Sequence, residues 1–261
     1  MNDSLNFTLI QSHLHWEDRD ANLAMFENKI KNIAGKKEIV VMPEMFTTGF
    51  SMHPARLAEE MDGASFNWMK RVSFENKIIL TGSCIITQDG HYYNRLIWMQ
   101  PNGEYGVYDK RHLFTLSGED KEFSSGEKKL ITQVNGWKIC TQICYDLRFP
   151  VWSRQTKENP YDVLLYVANW PERRIHAWKT LLQARAIENQ CFVIAVNRAG
   201  EDGNGILYSG ESCVVNPMGE VQYCKTGEED ILTVTLNKNE LIDVRERFQF
   251  LNDGDDFVIT S

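Results

Sequence analysis

Trp137-Lys138-Ile139-Cys140-Thr141-Gln142-Ile143-Cys144-Tyr145-Asp146-Leu147-Arg148-Phe149-Pro150 is the stretch from which the fold is best read. Its first seven residues carry the β-branched and apolar side chains of a strand. They follow the turn pair Asn135-Gly136 and a shorter run, Leu130 to Val134, so a hairpin delivers the chain to Cys144. Beyond Pro150 comes an apolar strand, Val163 to Ala168, then a helix from about Arg174 to Asn189 and a strand from Phe192 to Asn197. A Gly-rich loop at 200–205 and hairpin-like strands through Leu236 follow. Upstream, Leu5, Phe7 and Leu9 alternate as a strand. Leu23, Phe26, Ile30 and Ile33 recur at helical spacing, with Asp18 or Asp20 as cap and Gly35 as stop. Ile39 to Met42 reads as a buried strand, residues 64–75 as a second helix, and Lys77 to Ile86, Tyr92 to Met99 and Tyr105 to Lys110 as three strands. Gln88-Asp89-Gly90 and Pro101-Asn102-Gly103 are the turns between those strands. The residues give an α/β domain with mixed sheets, richer in hairpins than a doubly wound fold and without the glycine fingerprint of dinucleotide binding.

No linker or shift of composition divides these elements, so one domain is expected over 1–261. The stretch from Leu241 to Ser261 is too apolar, with Phe248, Phe250, Leu251 and Phe257, to be a free solvated end, and it is expected to pack as a C-terminal tail. A chain of 261 residues buries enough surface to need no disulfide or metal staple. With 28 Lys and Arg against 36 Asp and Glu, the net charge of -8 supplies no basic field to hold nucleic acid or an anionic membrane. Met1 to Gln11 does not read as a signal peptide, and no run is long enough to span a bilayer. The six cysteines show no CxxC or zinc-finger spacing, which fits reduced thiols in the cytoplasm. Five of them read as small buried hydrophobes.

Three reactive side chains stand at strand ends, where sites of α/β proteins assemble: Glu44 after Ile39-Val-Val-Met-Pro43, Lys110 after Tyr105-Gly-Val-Tyr-Asp109, and Cys144. Singly each has a structural or solvated reading; together they suggest a cysteine nucleophile with an acid and a cation. A thiol with its ordinary pKa of about 8.5 needs a base. His112 is the rival base to Glu44, although it sits in a basic cluster with no orienting Asn or Asp beside it in sequence. His13, His15, His53, His91 and His176 read as surface or packing residues. Cys140 and Cys144 are spaced too far along one strand to chelate a metal, so no metal site is expected. The polar stretch from Arg111 to Lys129 reads as a long loop near the site.

Pro43-Glu44-Met45-Phe46-Thr47-Thr48-Gly49-Phe50, Tyr108-Asp109-Lys110-Arg111-His112-Leu113-Phe114 and Cys144-Tyr145-Asp146-Leu147-Arg148-Phe149-Pro150 resemble, in the right order, the three catalytic blocks of the nitrilase superfamily of carbon-nitrogen hydrolases. Ala168-Asn169-Trp170-Pro171, Gln183 to Asn189 and Val196-Asn197-Arg198 extend the likeness over roughly residues 5–250. The resemblance implies a four-layer α-β-β-α sandwich of the nitrilase type and a Glu-Lys-Cys triad, carried onto Glu44, Lys110 and Cys144, with no cofactor. Glu44 would serve as general base and then acid, and Lys110 with the backbone N–H of Tyr145 would hold the oxyanion. Glu119 resembles the family's second glutamate, which positions the lysine and substrate; Asp120 and Glu122 nearby leave a solvated-loop reading open.

Within the superfamily the Cys144–Pro150 and Asn169-Trp170-Pro171 blocks look most like the omega-amidase branch, whose members hydrolyse the terminal amide of 2-oxoglutaramate and 2-oxosuccinamate. Such an anionic substrate needs a cationic clamp, and Arg148 is the candidate, with Trp170 as a pocket wall. Arg148 bracing the Cys144 loop through Asp146 or Glu44 is the rival reading. Arg173 and Arg174 would add to a positive mouth, although a solvated helix start is preferred for them. Runner-up functions are a carbamoylase, an aliphatic nitrilase, or a non-catalytic binding protein on the same fold. Family members commonly dimerise, so a homodimer is expected, with the tail aromatics reaching the partner.

Overall fold

Side-chain alternation along β1 (Ser4–Gln11) sorts the layers. Leu5, Phe7 and Leu9 point into the cluster shared with the second sheet, whereas Ile10 joins the cluster beneath two helices. The computed structural model describes residues 3–259, so Met1, Asn2, Thr260 and Ser261, the extremes of the N-terminal run and of the tail, lie outside the described residues. After β1 come α1 (Arg19–Lys31), β2 (Ile39–Val41), the short α2 (Pro54–Leu57), α3 (Ala64–Asn76), β3 (Ile79–Gln88), β4 (His91–Met99) and β5 (Tyr105–Asp109). Asp18 caps α1 by accepting from the Ala21 N–H at 3.0 Å. Its C-cap is Asn32 and not Gly35, whose left-handed backbone lies three residues further on in the connection.

The stretch read as a loop, Arg111 to Lys129, contains a 3-10 turn, Thr115–Ser117, and one turn of helix, α4 (Glu119–Glu122). The second half adds β6 (Leu130–Val134), β7 (Trp137–Ile143), a 3-10 turn Cys144–Arg148, α5 (Pro150–Ser153), β8 (Val163–Ala168), α6 (Ile175–Asn189) and β9 (Phe192–Asn197). β10 (Ala199–Glu201), β11 (Leu207–Val215), β12 (Val221–Thr226), β13 (Asp230–Asn237) and α7 (Lys238–Arg247) complete it.

One sheet has the order β13-β1-β2-β3-β4-β5 and the other β10-β11-β9-β8-β7-β6, with β12 on β11. β1, β2 and β3 run parallel, as do β7, β8 and β9, and hairpins extend both sheets. The inner faces meet through Phe7, Val41, Trp98, Trp137, Ile139 and Val163, all buried. On the first sheet's outer face Val40, Met42 and Leu80 pack under Phe26 of α1 and Trp68 of α3. Trp178, Leu182 and Ala186 of α6 cover the second sheet, giving the four layers α-β-β-α. A buried Phe or Trp to Ala change in such a core costs about 3–5 kcal/mol, so the packing holds the strand ends to within small tolerances.

In the stretch expected to pack as a C-terminal tail, Leu241 to Arg247 belong to α7. Leu241 is buried, and Arg245 pairs with Asp162 at 3.1 Å. Phe248 stacks on Phe250, whose own side chain is 63% exposed.

Candidate active site

Both halves of the molecule send reactive side chains into one place. Glu44 leaves the end of β2 three residues after Val41, and the next residue, Met45, has φ 43°, a left-handed backbone rare for a non-glycine residue. That bend is held from β3: the Met45 N–H donates to Ser83 Oγ at 2.8 Å and the Phe46 N–H to the Ser83 carbonyl at 3.0 Å. Lys110 follows β5 directly, its N–H on the Asn94 carbonyl of β4 at 3.0 Å. Cys144 is the first residue after β7 and also has φ 43°. Strain of this kind persists only where the surroundings enforce it, and it turns the thiol out of the sheet.

Lys110 Nζ donates to Glu44 Oε1 at 2.9 Å and to Glu119 Oε1 and Oε2 at 2.9 and 2.8 Å; the three side chains are fully buried. Asn94 Nδ2 lies across the same two carboxylates, 2.8 Å from Glu44 Oε1 and 3.2 Å from Glu119 Oε1. The other oxygen of Glu44 accepts from the Asn169 N–H at 2.8 Å, and Asn169 Nδ2 donates to the Glu44 carbonyl at 2.6 Å. Glu119 Oε2 also accepts from the Phe114 N–H at 2.6 Å. Burial first, and the charge of Glu44 with it, raise the Glu119 carboxyl above its ordinary value. Every described contact to that carboxylate is a donor, so the charged form is the one the cage fits.

Around Lys110, burial works against the charge, but Glu119 and Glu44 outweigh it and hold the ammonium well above its usual range. The Cys144 thiol is pushed well above its ordinary value, by burial and then by the negative charge of Glu44, while Lys110 pulls the other way. Cys144 therefore favours the neutral thiol form, with the Glu44 side chain and the Lys110 ammonium on the same site.

Asp146, fully buried, ties the nucleophile turn to the lysine segment. Its Oδ2 accepts from the Ile143 N–H at 3.0 Å and from Tyr108 Oη at 2.6 Å, and Oδ1 lies 2.8 Å from His112 Nδ1 and accepts the His112 N–H at 3.0 Å. No orienting Asp stands beside His112 in sequence; the fold supplies one from 34 residues away. His112 also stacks on Phe149, with ring centroids 3.7 Å apart, and does not line the cavity over Cys144. It occupies a bracing position. Arg148 does not brace this turn; its guanidinium lies over the Trp170 ring at 4.9 Å.

A cavity of about 360 Å³ opens over Cys144, at the small end of the roughly 300–1,000 Å³ of ligand pockets. Lys110, Cys144, Tyr145 and Asn169 form its inner end, and Trp170, 3% exposed, is a wall. Toward the mouth stand Arg148, Arg173 and Arg174. The helix start expected for the last two is what they form, a 3-10 turn leading into α6 with Arg174 as its N-cap; Arg173 is exposed as expected, whereas Arg174 is half-buried on the rim and its guanidinium covers Phe114 at 5.0 Å. Burial, and after it Arg173 and Arg148, lower the Arg174 pKa. None of the three arginines has a carboxylate within ion-pair distance among the described residues. His53, read as a surface residue, also lines the cavity, with Nδ1 2.7 Å from Glu17.

Among the described residues no group of three or more His, Cys, Asp or Glu side chains could hold a metal ion, and no helix is long and apolar enough to cross a membrane. The arrangement can bring a thiol, a proton acceptor and a fixed cation to one electrophilic carbon, with excess positive charge at the opening. Sequence reasoning missed Asn94 and the Asp146–His112 pair. Asn94 did leave a signal: it is a residue type disfavoured in strands at a fully buried strand position.

Residues 7–246 match the family profile described as carbon-nitrogen hydrolase. The chain is 40% identical over 257 residues to the omega-amidase YafV of Yersinia enterocolitica, covering 98% of this chain and 99% of that protein. It is 31% identical over 247 residues to the 2-oxoglutaramate amidase of Bacillus subtilis (strain 168), covering 94% and 95%. The crystal structure of XC1258 from Xanthomonas campestris, a CN-hydrolase superfamily protein with an arsenic adduct in its active site, superposes with a TM-score of 0.96 at 40% identity, covering 98% and 99%.

Proposed function

The chain belongs to the carbon-nitrogen hydrolase family, and within it we propose that this enzyme is an omega-amidase, hydrolysing the terminal amide of small 2-oxo dicarboxylate monoamides such as 2-oxoglutaramate and 2-oxosuccinamate. The observation that carries this reading is the charge layout of the cavity: a neutral thiol at the inner end and, at the other, three arginines that no described carboxylate pairs with. An amide carbon would sit at Cys144 while the far carboxylate meets Arg148, whose planar fork matches it, with Arg174 beside it.

Glu44 takes the Cys144 proton as sulfur attacks the amide carbon. The oxyanion is held by Lys110 Nζ and the Tyr145 N–H, donors whose loss in comparable sites costs about 10²–10³ in rate. Glu44 returns the proton to the departing ammonia, and then activates the water that cleaves the thioester. Glu119 and Asn94 keep Lys110 and Glu44 in register. The reaction needs no cofactor.

We further propose a cytoplasmic homodimer. The scattered spacing of the six cysteines supports the compartment and the exposed Phe250 on its stacked partner Phe248 supports a contact between copies. Light scattering tests the dimer, and a monomer at micromolar concentration contradicts it.

The function is tested by ammonia release from a panel of 2-oxoglutaramate, 2-oxosuccinamate, neutral aliphatic amides, N-carbamoyl compounds and aliphatic nitriles. Turnover concentrated on the first two is expected. Preference for N-carbamoyl compounds, with carbon dioxide released alongside ammonia, would overturn the reading in favour of a carbamoylase.

A further inference from the structure

Five of the six cysteines have no part in amide hydrolysis at Cys144, and two of the five are not isolated. Cys213 of β11 and Cys224 of β12 stand directly opposite each other in antiparallel register. Opposed residues on such strands have Cα atoms about 4.5–5.5 Å apart. A disulfide spans about 4.4–6.8 Å, so no backbone movement is needed to join them. The side chains already meet, with the two sulfur atoms 2.8 Å apart. Cys84, Cys140 and Cys191 are buried singly, each without a second sulfur in hydrogen-bond range among the described residues.

The two positions differ in access. Cys213 is 1% exposed, whereas Cys224 is only half-buried. Around the pair, Lys179 Nζ from α6 lies 2.7 Å from Glu211 Oε2, and that oxygen is 4.0 Å from Cys224 Sγ. The hydrogen bond from Cys213 is the largest influence on Cys224 and lowers its pKa; burial and Glu211 oppose it, and Lys179 assists. The more accessible sulfur, that of Cys224, is thus the one whose thiolate is favoured, with the buried Cys213 sulfur against it. No third ligand completes a metal site among the described residues, since Glu211 is engaged by Lys179.

We propose that Cys213 and Cys224 are a modification site, a dithiol that a peroxide converts reversibly into a cross-strand disulfide. The Cys224 thiolate attacks one oxygen of hydrogen peroxide, the O–O bond breaks, and a sulfenic acid forms while hydroxide leaves and takes up a proton as water. Cys213 sulfur then attacks the sulfenic sulfur, the S–O bond breaks, and the hydroxyl leaves with the Cys213 proton as a second water. Two thiols lose two electrons and one peroxide gains them. A low-molecular-weight thiol reverses the bond by exchange. β11 also carries Tyr208 on the cavity wall, and Ser212 Oγ accepts from the Asn197 N–H at 3.0 Å, so the cross-link would stiffen a strand that backs the pocket without touching the reacting atoms.

The test uses the full chain with Cys144→Ala, so that oxidation of the cavity thiol cannot be mistaken for the effect. Folded protein is treated with hydrogen peroxide, denatured, blocked with N-ethylmaleimide and digested for mass spectrometry. The expected result is a linked peptide pair containing Cys213 and Cys224, an intact mass lower by about 2 Da before blocking, two fewer N-ethylmaleimide adducts after it, and recovery of both thiols with dithiothreitol. Stepwise oxygen addition at Cys224, with Cys213 still alkylated, would overturn the proposal. In a Cys224→Ser protein with Cys144 intact, ammonia release should match wild type and Cys213 should stay alkylatable after peroxide. Loss of the free Cys213 thiol in that variant would equally overturn the pairing.

Discussion

The inner end and the mouth of the cavity are built in opposite ways. At the inner end Lys110, Glu44 and Glu119 are fully buried and share each other's hydrogen bonds, with Asn94 and Asn169 closing the cage. At the mouth Arg148 and Arg174 touch the protein chiefly through aromatic faces, Trp170 and Phe114, and Leu116 on the same rim is 77% exposed. A buried charge left unpaired is costly, so the inner end tolerates no vacancy in its own network. The mouth leaves its cations unsatisfied, and what satisfies them must come from outside. On the proposed function the contrast separates chemistry from selection: the groups assigned to the reaction are preorganised by the protein, while the arginines assigned to the substrate carboxylate are left without a protein partner.

The largest effect should come from the nucleophile. Cys144→Ala is expected to lower turnover by at least about 10³-fold while the fold, followed by circular dichroism, is retained. More than a few per cent of residual activity would break the assignment of the inner end as the reacting centre. Lys110→Met should remove activity too, and should also destabilise the protein by about 3–5 kcal/mol in urea unfolding, because Glu44 and Glu119 lose their shared cation. An inactive variant of wild-type stability would mean that the cage is not the structural unit the distances indicate.

Arg148→Met sharpens the other side. It should lower kcat/KM for 2-oxoglutaramate by roughly 10²–10³ yet spare a neutral amide of similar length, with stability unchanged. Equal loss on both substrates would remove Arg148 from the selection of anions. His112→Ala should cost about 1–3 kcal/mol of stability and a modest part of kcat, through the freed Asp146 carboxylate. If it proved as damaging to turnover as Glu44→Gln, with the fold intact, a Cys-His mechanism would replace the one built on Glu44, Lys110 and Cys144. At the small end, Cys140→Ala should change stability by less than about 2 kcal/mol and leave kcat/KM untouched, since its thiol only fills the core.

Most elements were legible because their signals are local. Alternation in Leu5, Phe7 and Leu9, helical spacing in Leu23, Phe26 and Ile30, and the Asn135-Gly136 turn each depend on neighbours a few residues away. The same holds for Asp18 as a cap and for Glu44, Lys110 and Cys144 as residues at strand ends. The helix α7 escaped because its apolar positions are few and it is anchored by ion pairs of Lys238 and Arg245 to Asp162, some 80 residues earlier.

From the amino-acid order alone followed the alternation of strands and helices, the absence of a basic field, and three reactive side chains at three strand ends. Tertiary structure alone decided which acid serves Lys110: Glu119, Asp120 and Glu122 are alike by any local criterion, but only Glu119 is turned into the buried cage, while the other two face water. It decided as well that β13 returns to pair with β1 across the whole chain, that His112 finds Asp146, and that Arg173 and Arg174 reach the cavity rim. Local propensity cannot encode these choices. They are fixed when two sheets pack face to face, because burial admits only those charges whose partners arrive from the opposite sheet or a neighbouring loop.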